Sequence, residues 1–586
     1  MRKELSFTSG AAVIAFLGLT SLTLTSCRSN DTEGNLLKGG VASVKMSLTG
    51  TEYSGTNGTP SAQASLKSVG VNVGGDTDVQ RHGVMLSPSM ILEAELSPSS
   101  LSSSSSSVLS SSSIKKSAQA STKLNTLAAV GDNPIGPGMM FRVIAYRQSD
   151  GTYQDSKDYK IGQPAAGLTL DVGAAYNLVA YSYGTATLPA ITPGETTDIA
   201  SAQVSYDNAN PDFMYQNISY TPNNPDNTVN FTLRHKVSLI TTTINSMVGN
   251  INSITGAFLS PHNLTGTIPL STGVMTNRNT AINQNLNFAG AFPSITATAD
   301  PVFVNADTAG NLGGTFSASI NVNGTTKTVN LPNTFKITPE YKSDLNINLR
   351  TCGAYLGPNQ TQYTEFMCQN LGATAGIDPF SPEAGNHGLK VQWGRNITGT
   401  NGVYYYSQAS DQANSGTIAG WSQTNAANGA WNSGTETNPV KNTANDPCPS
   451  GYRVPTRTEW QAVIDNNSIE RTDTALWTNS PTNYSSALYI TNPQGVSTLM
   501  LPAAGYRHNA DGALLFRGNY GFYWSSGEAT SLAYALYFHS SSVSVSDYNR
   551  AYGFSVRCIK DQSASTVNGG NTSWSSSGNI NLTTTY

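Results

Sequence analysis

Charge is what this chain of 586 residues has least of. Only 12% of its positions are Asp, Glu, Lys or Arg, about half the share found in ordinary globular domains. A net charge of −4 and the lack of a basic stripe exclude nucleic acid as a partner. Six histidines leave little material for imidazole-based metal or acid–base sites, and each is read as a packed or exposed side chain. Beyond the N-terminus no apolar run is long enough to cross a bilayer, and stretches with helical period are scarce. The space is filled by 54 Gly, 27 Tyr and dense Thr, Ser and Asn, a composition that fits many short strands joined by turns. The expected class is mainly β, and the length calls for three or four domains at roughly 100–200 residues each.

Residues 1–27 carry an address. Met1, Arg2 and Lys3 form a basic start, and Ala11 to Leu24 is an apolar stretch of signal-peptide rather than membrane-spanning length. The end, Leu24-Thr25-Ser26-Cys27, resembles a bacterial lipobox. That resemblance implies a lipid on Cys27 and an outer-membrane anchor at the cell surface; a plain secretory signal is the competing reading. Export changes how the remaining cysteines read. Cys352, Cys368, Cys448 and Cys558 allow three pairings, and none has the CxxC spacing of a metal site. In an oxidising compartment Cys448–Cys558 with Cys352–Cys368 is favoured, because the first pair ties the stretch 446–460 to the last strand of its domain.

Residues 28–40 read as a polar tether. Ala42, Val44, Met46 and Leu48 then alternate with polar neighbours, the period of a half-buried strand. Further strands are expected at Gly83–Leu86 and Met90–Leu96. Residues 97–122 collapse into serine runs and are expected to be a disordered loop projecting from the first domain. Phe141–Gln148 and Thr152–Gln154 read as a hairpin about Asp150-Gly151, and Ala175–Tyr183 as another strand. From residue 191 a second β unit runs to 350. Within it Val229, Phe231 and Leu233 alternate until the phase shifts at Arg234-His235-Lys236, where a bulge or a strand crossing is expected. His235 reads as a packed histidine in preference to a ligand. Thr334–Thr338 and Leu345–Leu349 close the unit.

The lipobox, "VASVKMSLTG", "YNLVAYSYGTATLP", "DFMY" and "VNFTLRHKVSLITTTI", in this order, resemble the fimbrillin family of surface lipoproteins that build type V pili. The resemblance implies two tandem transthyretin-like β-sandwiches, at 41–190 and 191–350. It also implies partnership with other fimbrial subunits by strand addition after cutting at a Lys or Arg, for which Lys38, Lys45 and Arg81 are available. The chain continues more than two hundred residues past the second sandwich, which departs from a stalk subunit and favours a tip or minor subunit.

After Cys352 the texture changes, and all seven tryptophans follow. In Asp446–Trp460, Pro447 and Pro449 hold Cys448 extended, Gly451 permits a turn, and Thr456 with Glu459 forms a capping box. Trp460, Val463 and Ile464 make the buried stripe of the helix that follows. Arg453 reads as a structural ion pair in preference to a substrate clamp. A helix early and strands late (Leu499–Arg507, Tyr523–Ser526, Ala533–Phe538, Gly553–Ile559) point to α+β.

The pieces "MCQNLGA", "DPCPSGYRVPTRTEW", "LPAAGYR", "YWSS" and "GFSVRCIKD" resemble the FISUMP (Fib-succ-major) family, over about 352–562. That resemblance implies a C-type-lectin-like fold in a domain spanning 351–562. "RVPTRTEW" and "GFSVRC" are also similar to motifs of formylglycine-generating enzymes, whose chemistry needs a reactive cysteine pair. Here Cys448 and Cys558 lie inside structural motifs, so no catalytic residue is expected. A binding role is expected instead, to a glycan or a surface protein. Its residues are sought in the Asn/Gly/Ser-rich insertion 393–445: Tyr405, Trp421, Trp431 and Asn432. The Glu-Pro-Asn tripeptide of calcium lectins is missing and Trp431-Asn432 is half of Trp-Asn-Asp, so no metal or other cofactor is expected. The tail 563–586 is polar. Ile580 and Leu582 alternate and offer an extra strand to a sheet edge, with a disordered end as the competing reading.

Overall fold

The computed structural model describes residues 40–54, 79–99, 136–492, 495–561 and 580–581, and these are mainly β. The signal sequence with Cys27, nearly all of the tether, most of the serine-rich stretch and most of the tail lie outside the described residues.

Strand β1 (Val41–Glu52) alternates as its sequence predicts, with Ala42 and Val44 buried. A hairpin of β2 (Gln80–Ser87) and β3 (Met90–Pro98) follows, then β4 (Met140–Arg147), β5 (Tyr153–Lys160), β6 (Leu168–Asp171) and β7 (Tyr176–Ser182). The β4–β5 turn holds Gly151 at φ +76°, the left-handed conformation an Asp-Gly turn requires. Short β8 (Gln203–Ser205) precedes β9 (Met214–Tyr220) and β10 (Asp226–His235).

Seven of these strands form one sheet in the order β5-β4-β7-β9-β10-β1-β6, with β1 parallel to β10 and antiparallel to β6. Its end strands meet where the Thr169 amide on β6 donates to Asp155 Oδ2 on β5 at 2.8 Å. The sheet therefore curls around a single core that includes Val44, Phe141, Leu170, Leu178 and Phe231. Its other face, rich in tyrosine, packs on Ile268, Leu270 and Met275 of the next unit, and the Tyr215 hydroxyl donates to the Leu270 carbonyl at 2.7 Å.

The second unit adds β11 (Ser238–Ser246), β12 (Ile251–Pro269), β13 (Thr276–Asn285), β14 (Thr296–Thr298), β15 (Val302–Val304), β16 (Gly314–Val322), β17 (Thr325–Phe335) and β18 (Lys342–Thr351). One sheet runs β14-β11-β18-β3-β2 and the other β13-β12-β16-β17. They face each other across Leu92, Leu96, Ile244, Phe316, Val329 and Ile347. The phase shift at residues 234–236 is the crossing between units: β10 belongs to the curled sheet and β11 to the next. His235 is buried there, with Nδ1 2.5 Å from Asp212 Oδ1 and its ring stacked on Tyr53 at 4.0 Å, a packed histidine.

One boundary needs correcting. The β2–β3 hairpin falls inside 41–190, yet β3 pairs with β18 of the second unit from Ser343↔Pro98 to Thr351↔Met90. Period-2 alternation reveals which face of a strand is buried but carries no information about its partner. The chain enters the curled sheet with β1, leaves for the second unit, and returns at β4.

The same hairpin seats the third domain. Met90, Leu92, Ala94 and Leu96 of β3 point into the second core, while Ile91 points the other way, against Cys352, Phe366 and Trp460. At the hairpin's turn Ser89 is fully buried. The Cys352 amide donates to the Ser89 carbonyl at 2.8 Å and the Cys368 amide to the Pro88 carbonyl at 2.6 Å. Arg350, at the end of β18, pairs with Glu93 and lies over the Phe380 ring at 5.0 Å.

Past Thr351 the fold is α+β: a hairpin of β19 (Gly353–Gly357) and β20 (Thr361–Glu365), helices α1 (Gln408–Ala413) and α2 (Arg457–Asn466), and, among the described residues, four further small antiparallel sheets of five, two, three and three strands. The sheet formed by Gly521–Ala529, Leu532–Phe538 and Val543–Asn549 packs one face toward α2. The continuous strand expected at 553–559 is instead two short pieces, Gly553–Phe554 and Ile559–Lys560. Between them Arg557 is buried and donates to Asn370 Oδ1 and to the carbonyls of Cys368 and Met500, while the Val556 and Cys558 carbonyls accept from the Leu371 and Met367 amides. Ile580–Asn581 add to β17 in parallel, opposite Val329–Asn330, the sheet-edge placement their alternation allowed.

Candidate functional site

The stretch 446–460 is a frame. Cys448 is bonded to Cys558, 110 positions on, and Cys352 to Cys368 around the β19–β20 hairpin, the favoured pairing. Asp446 accepts from the Cys448 amide at 2.8 Å and the Val454 amide at 2.9 Å, and burial pushes its carboxyl up to about 6 against those bonds. Thr456 caps α2: its hydroxyl accepts from the Glu459 amide at 3.2 Å while Glu459 Oε2 accepts from the Thr456 amide at 2.7 Å. Glu459 also takes both arms of the buried Arg453, at 2.8 and 2.5 Å, so Arg453 is the structural pair its position suggested. Lys441, which sequence reasoning passed over, donates to the carbonyls of Cys448 and Tyr452, both at 2.6 Å, and closes the loop.

A second structural centre holds the insertion. Asp411, on α1, is 1% exposed and is met by Arg507 Nε at 2.7 Å, by Arg517, and by Lys390 Nζ at 3.7 Å. Burial alone would raise the Asp411 carboxyl, but these three cations hold it below its ordinary range. Burial, reinforced by Lys390 and Arg517, brings the neighbouring His387 down to about 3, so it stays neutral.

This anchoring changes the reading of 393–445, whose aromatics are spent on packing. Trp431 is 1% exposed, lies 5.6 Å from the Trp393 ring, and its Nε1 donates to the Asn445 carbonyl at 3.0 Å and the Arg395 carbonyl at 3.2 Å. Trp421 is 6% exposed and donates to the Ala551 carbonyl at 3.2 Å; a Cβ on Gly553 would meet its ring at 2.9 Å. Asn432 shapes a turn, accepting from the Gly434 and Val440 amides and donating to the Thr435 carbonyl. Tyr405 is half-buried and donates to the Gly399 carbonyl at 3.1 Å. The two tryptophans therefore offer no free ring face, which corrects the expected site: a buried indole in an Asn/Gly-rich loop finds its partner among the loop's own carbonyls.

The aromatic surface lies elsewhere, on residues 506–552. Its rings run from His508 to Tyr552 (5.9 Å between centroids), Tyr506 (5.4 Å), Phe516 (5.9 Å), Tyr520 (4.9 Å), Tyr537 (5.6 Å) and His539 (5.7 Å). All seven are half-buried, and beneath them Phe522, Phe554 and Trp524 are buried in a stack of their own, with neighbouring centroids 4.8 and 4.2 Å apart. Sequence reasoning missed the run because its members sit on four separate segments that only the tertiary fold gathers.

Residues 360–560 match the family described as the Fibrobacter succinogenes major domain. Among solved structures, the chain is similar to a candidate cell adhesion protein from Bacteroides uniformis, at 15% identity over 36% of this chain and 91% of that one, with a TM-score of 0.25. It is likewise similar to the fimbrial anchor protein Mfa2 from Porphyromonas gingivalis (11% identity, 39% and 87% covered, TM-score 0.24). No curated protein matches the chain.

Proposed function

We propose that the protein is a cell-surface adhesion protein of fimbrial type, a tip or minor subunit held to the outer membrane through Cys27, whose C-terminal domain is the non-enzymatic, ligand-binding end. The observation that carries this reading is the half-buried ring run at the surface of a domain stapled by two disulfides and plugged by the Ser89 turn. A rigid mount bearing a cluster of partly exposed aromatic side chains suits recognition, because little ordering entropy is lost on contact. All four cysteines of the domain are paired, which supports binding over a formylglycine-generating type of chemistry. The test is surface labelling of intact cells with an antibody to the C-terminal domain, beside a Cys27→Ala variant. Labelling that Cys27→Ala releases into the medium, with weaker attachment of cells lacking the protein, is expected; an unlabelled surface would end this reading.

A monomeric surface protein that captures glycan is the second reading, and one observation favours it. Ile580–Asn581 add to β17 of their own chain, so this segment is not offered to a neighbour. Of the basic residues open to processing, Lys45 and Arg81 lie inside paired strands and Lys38 lies outside the described residues. Oligomer ladders that resist SDS would favour the subunit, and a single full-length band the monomer.

A further inference from the structure

We propose that the ring run from His508 to His539 is a binding surface for an uncharged polysaccharide chain. The inference rests on the reading of the C-terminal domain as the ligand-facing end and gives that end a site and a ligand class.

Freedom from stacked cations is the first ground. Elsewhere in the domain four half-buried tyrosines each have an arginine against the ring: Arg395 lies over Tyr404 at 4.1 Å, Arg457 over Tyr534 at 4.2 Å, Arg507 over Tyr406 at 4.7 Å and Arg517 over Tyr484 at 5.0 Å. Among the described residues, no cation is stacked on Tyr506, Phe516, Tyr520, Tyr537 or Tyr552. An aromatic face carries partial negative charge and attracts the C–H side of a sugar ring, while tyrosine hydroxyls at the ring edges reach sugar hydroxyls.

The second ground is strain. Phe516 has φ +57°, the left-handed region that a bulky side chain rarely enters. Its carbonyl accepts from the amides of both Asn519 and Tyr520, which fixes the turn and sets its ring beside Tyr506 and Tyr520. Backbone strain of this kind persists where surrounding structure imposes it, and it concentrates at functional sites.

Charge selects the ligand class. The acid at the run's end, Asp511, is paired with His508, and the exposed Asp547 points to the sheet's opposite face, across from Tyr534. With no cation stacked on these rings among the described residues, an anionic polymer finds no counter-charge there. The run brings together seven side chains from four segments, an extent that suits several units of a chain better than one small molecule.

The test is affinity electrophoresis of the full chain through native gels containing laminarin, yeast mannan or arabinoxylan, with alginate as the charged control. At least one neutral polymer is expected to retard the protein. Tyr520→Ala/Tyr537→Ala is expected to weaken that retardation at least tenfold, and Tyr520→Phe, which keeps the ring, to preserve most of it. Ile282→Ser on exposed β13 serves as the distant control, and an unchanged melting temperature shows that the double variant is folded. No retardation by any neutral polymer, retardation by alginate alone, or retardation indifferent to the double substitution would overturn the proposal. So would a ring-dependent self-association of the chain, which would assign the face to a second copy. Surface labelling that persists without polymer binding would overturn this site while leaving the adhesion reading standing.

Discussion

The Tyr452 hydroxyl donates to Ser89 Oγ at 2.8 Å, across 363 positions of chain. Ser89 in turn donates to Glu365 Oε2 at 2.6 Å, so one small side chain at a hairpin turn joins two segments of the C-terminal domain to a strand of the preceding unit. A domain that hung from a flexible linker would need no such bond.

Ser89→Ala removes the acceptor of Tyr452 and a donor to Glu365 inside a buried contact, and is expected to cost about 1–3 kcal/mol. Ser89→Trp cannot be housed where the native side chain is fully buried, and is expected to undock the domain. Calorimetry reads both: one cooperative transition in the native chain, and a separate, earlier one for the C-terminal domain in Ser89→Trp.

The two disulfides should differ in worth. Cys448–Cys558 closes a loop of 110 positions and Cys352–Cys368 one of 16, which corresponds to about 4–5 and about 3 kcal/mol of lost unfolded-state entropy. Replacing each pair by serines and comparing urea unfolding of the C-terminal domain checks the order. Equal losses would mean that the longer loop is already restricted in the unfolded chain.

The helix cap offers a graded test. Thr456→Ala removes one capping bond and is expected to cost about 1 kcal/mol. Glu459→Ala also takes the two-armed partner from the buried Arg453, leaving it Asp561 at 3.8 Å, and should cost about 3 kcal/mol. If the two variants melt alike, the Arg453 pair contributes nothing beyond the cap.

Lys390 gives a pH signature. Burial brings its amine down to about 8 from 10.5, with Arg517 and Arg507 adding to the shift and Asp411 opposing it. Between those values the unfolded chain holds the proton and the folded chain has released it, so the lysine's contribution to stability rises with pH in that window and is lost as pH falls through 8. Lys390→Met is expected to flatten the rise between pH 8 and 9.5. Urea unfolding at four pH values in that range measures the slope; an unchanged slope would assign it to another group.

Local features of the fold were legible and distant ones were not. Thr456 and Glu459 sit three apart in one turn, so the capping box could be read from their spacing, and the phase shift at His235 marked the crossing between units. The β2–β3 hairpin could be seen as two strands, but its alternation is equally compatible with either unit, and the partner β18 lies about 250 positions away. Trp421 and Trp431 misled because polar surroundings in sequence were taken for solvent, whereas Asp411 pulls the insertion onto Arg507 and Arg517. The ring run left no local signal: Tyr506 and Tyr537 come from separate strands with an intervening turn and only share a face once the sheets have formed.

The parallel pairing of β1 with β10 sets how the molecule would answer to pulling. When the chain is stretched from its two ends, β1 is drawn toward its start and β10 toward its end, so parallel neighbours slide past each other instead of unzipping. The nine register pairs from Ser43↔Asp226 to Glu52↔Arg234 then share the load together. Forced rupture depends on the height of the unfolding barrier and not on equilibrium stability, and a sheet loaded this way has a barrier that all nine pairs resist at once. Farther along, β18 passes directly into Cys352, so tension arriving through the C-terminal domain enters the body through a strand held in register by β3 and β11.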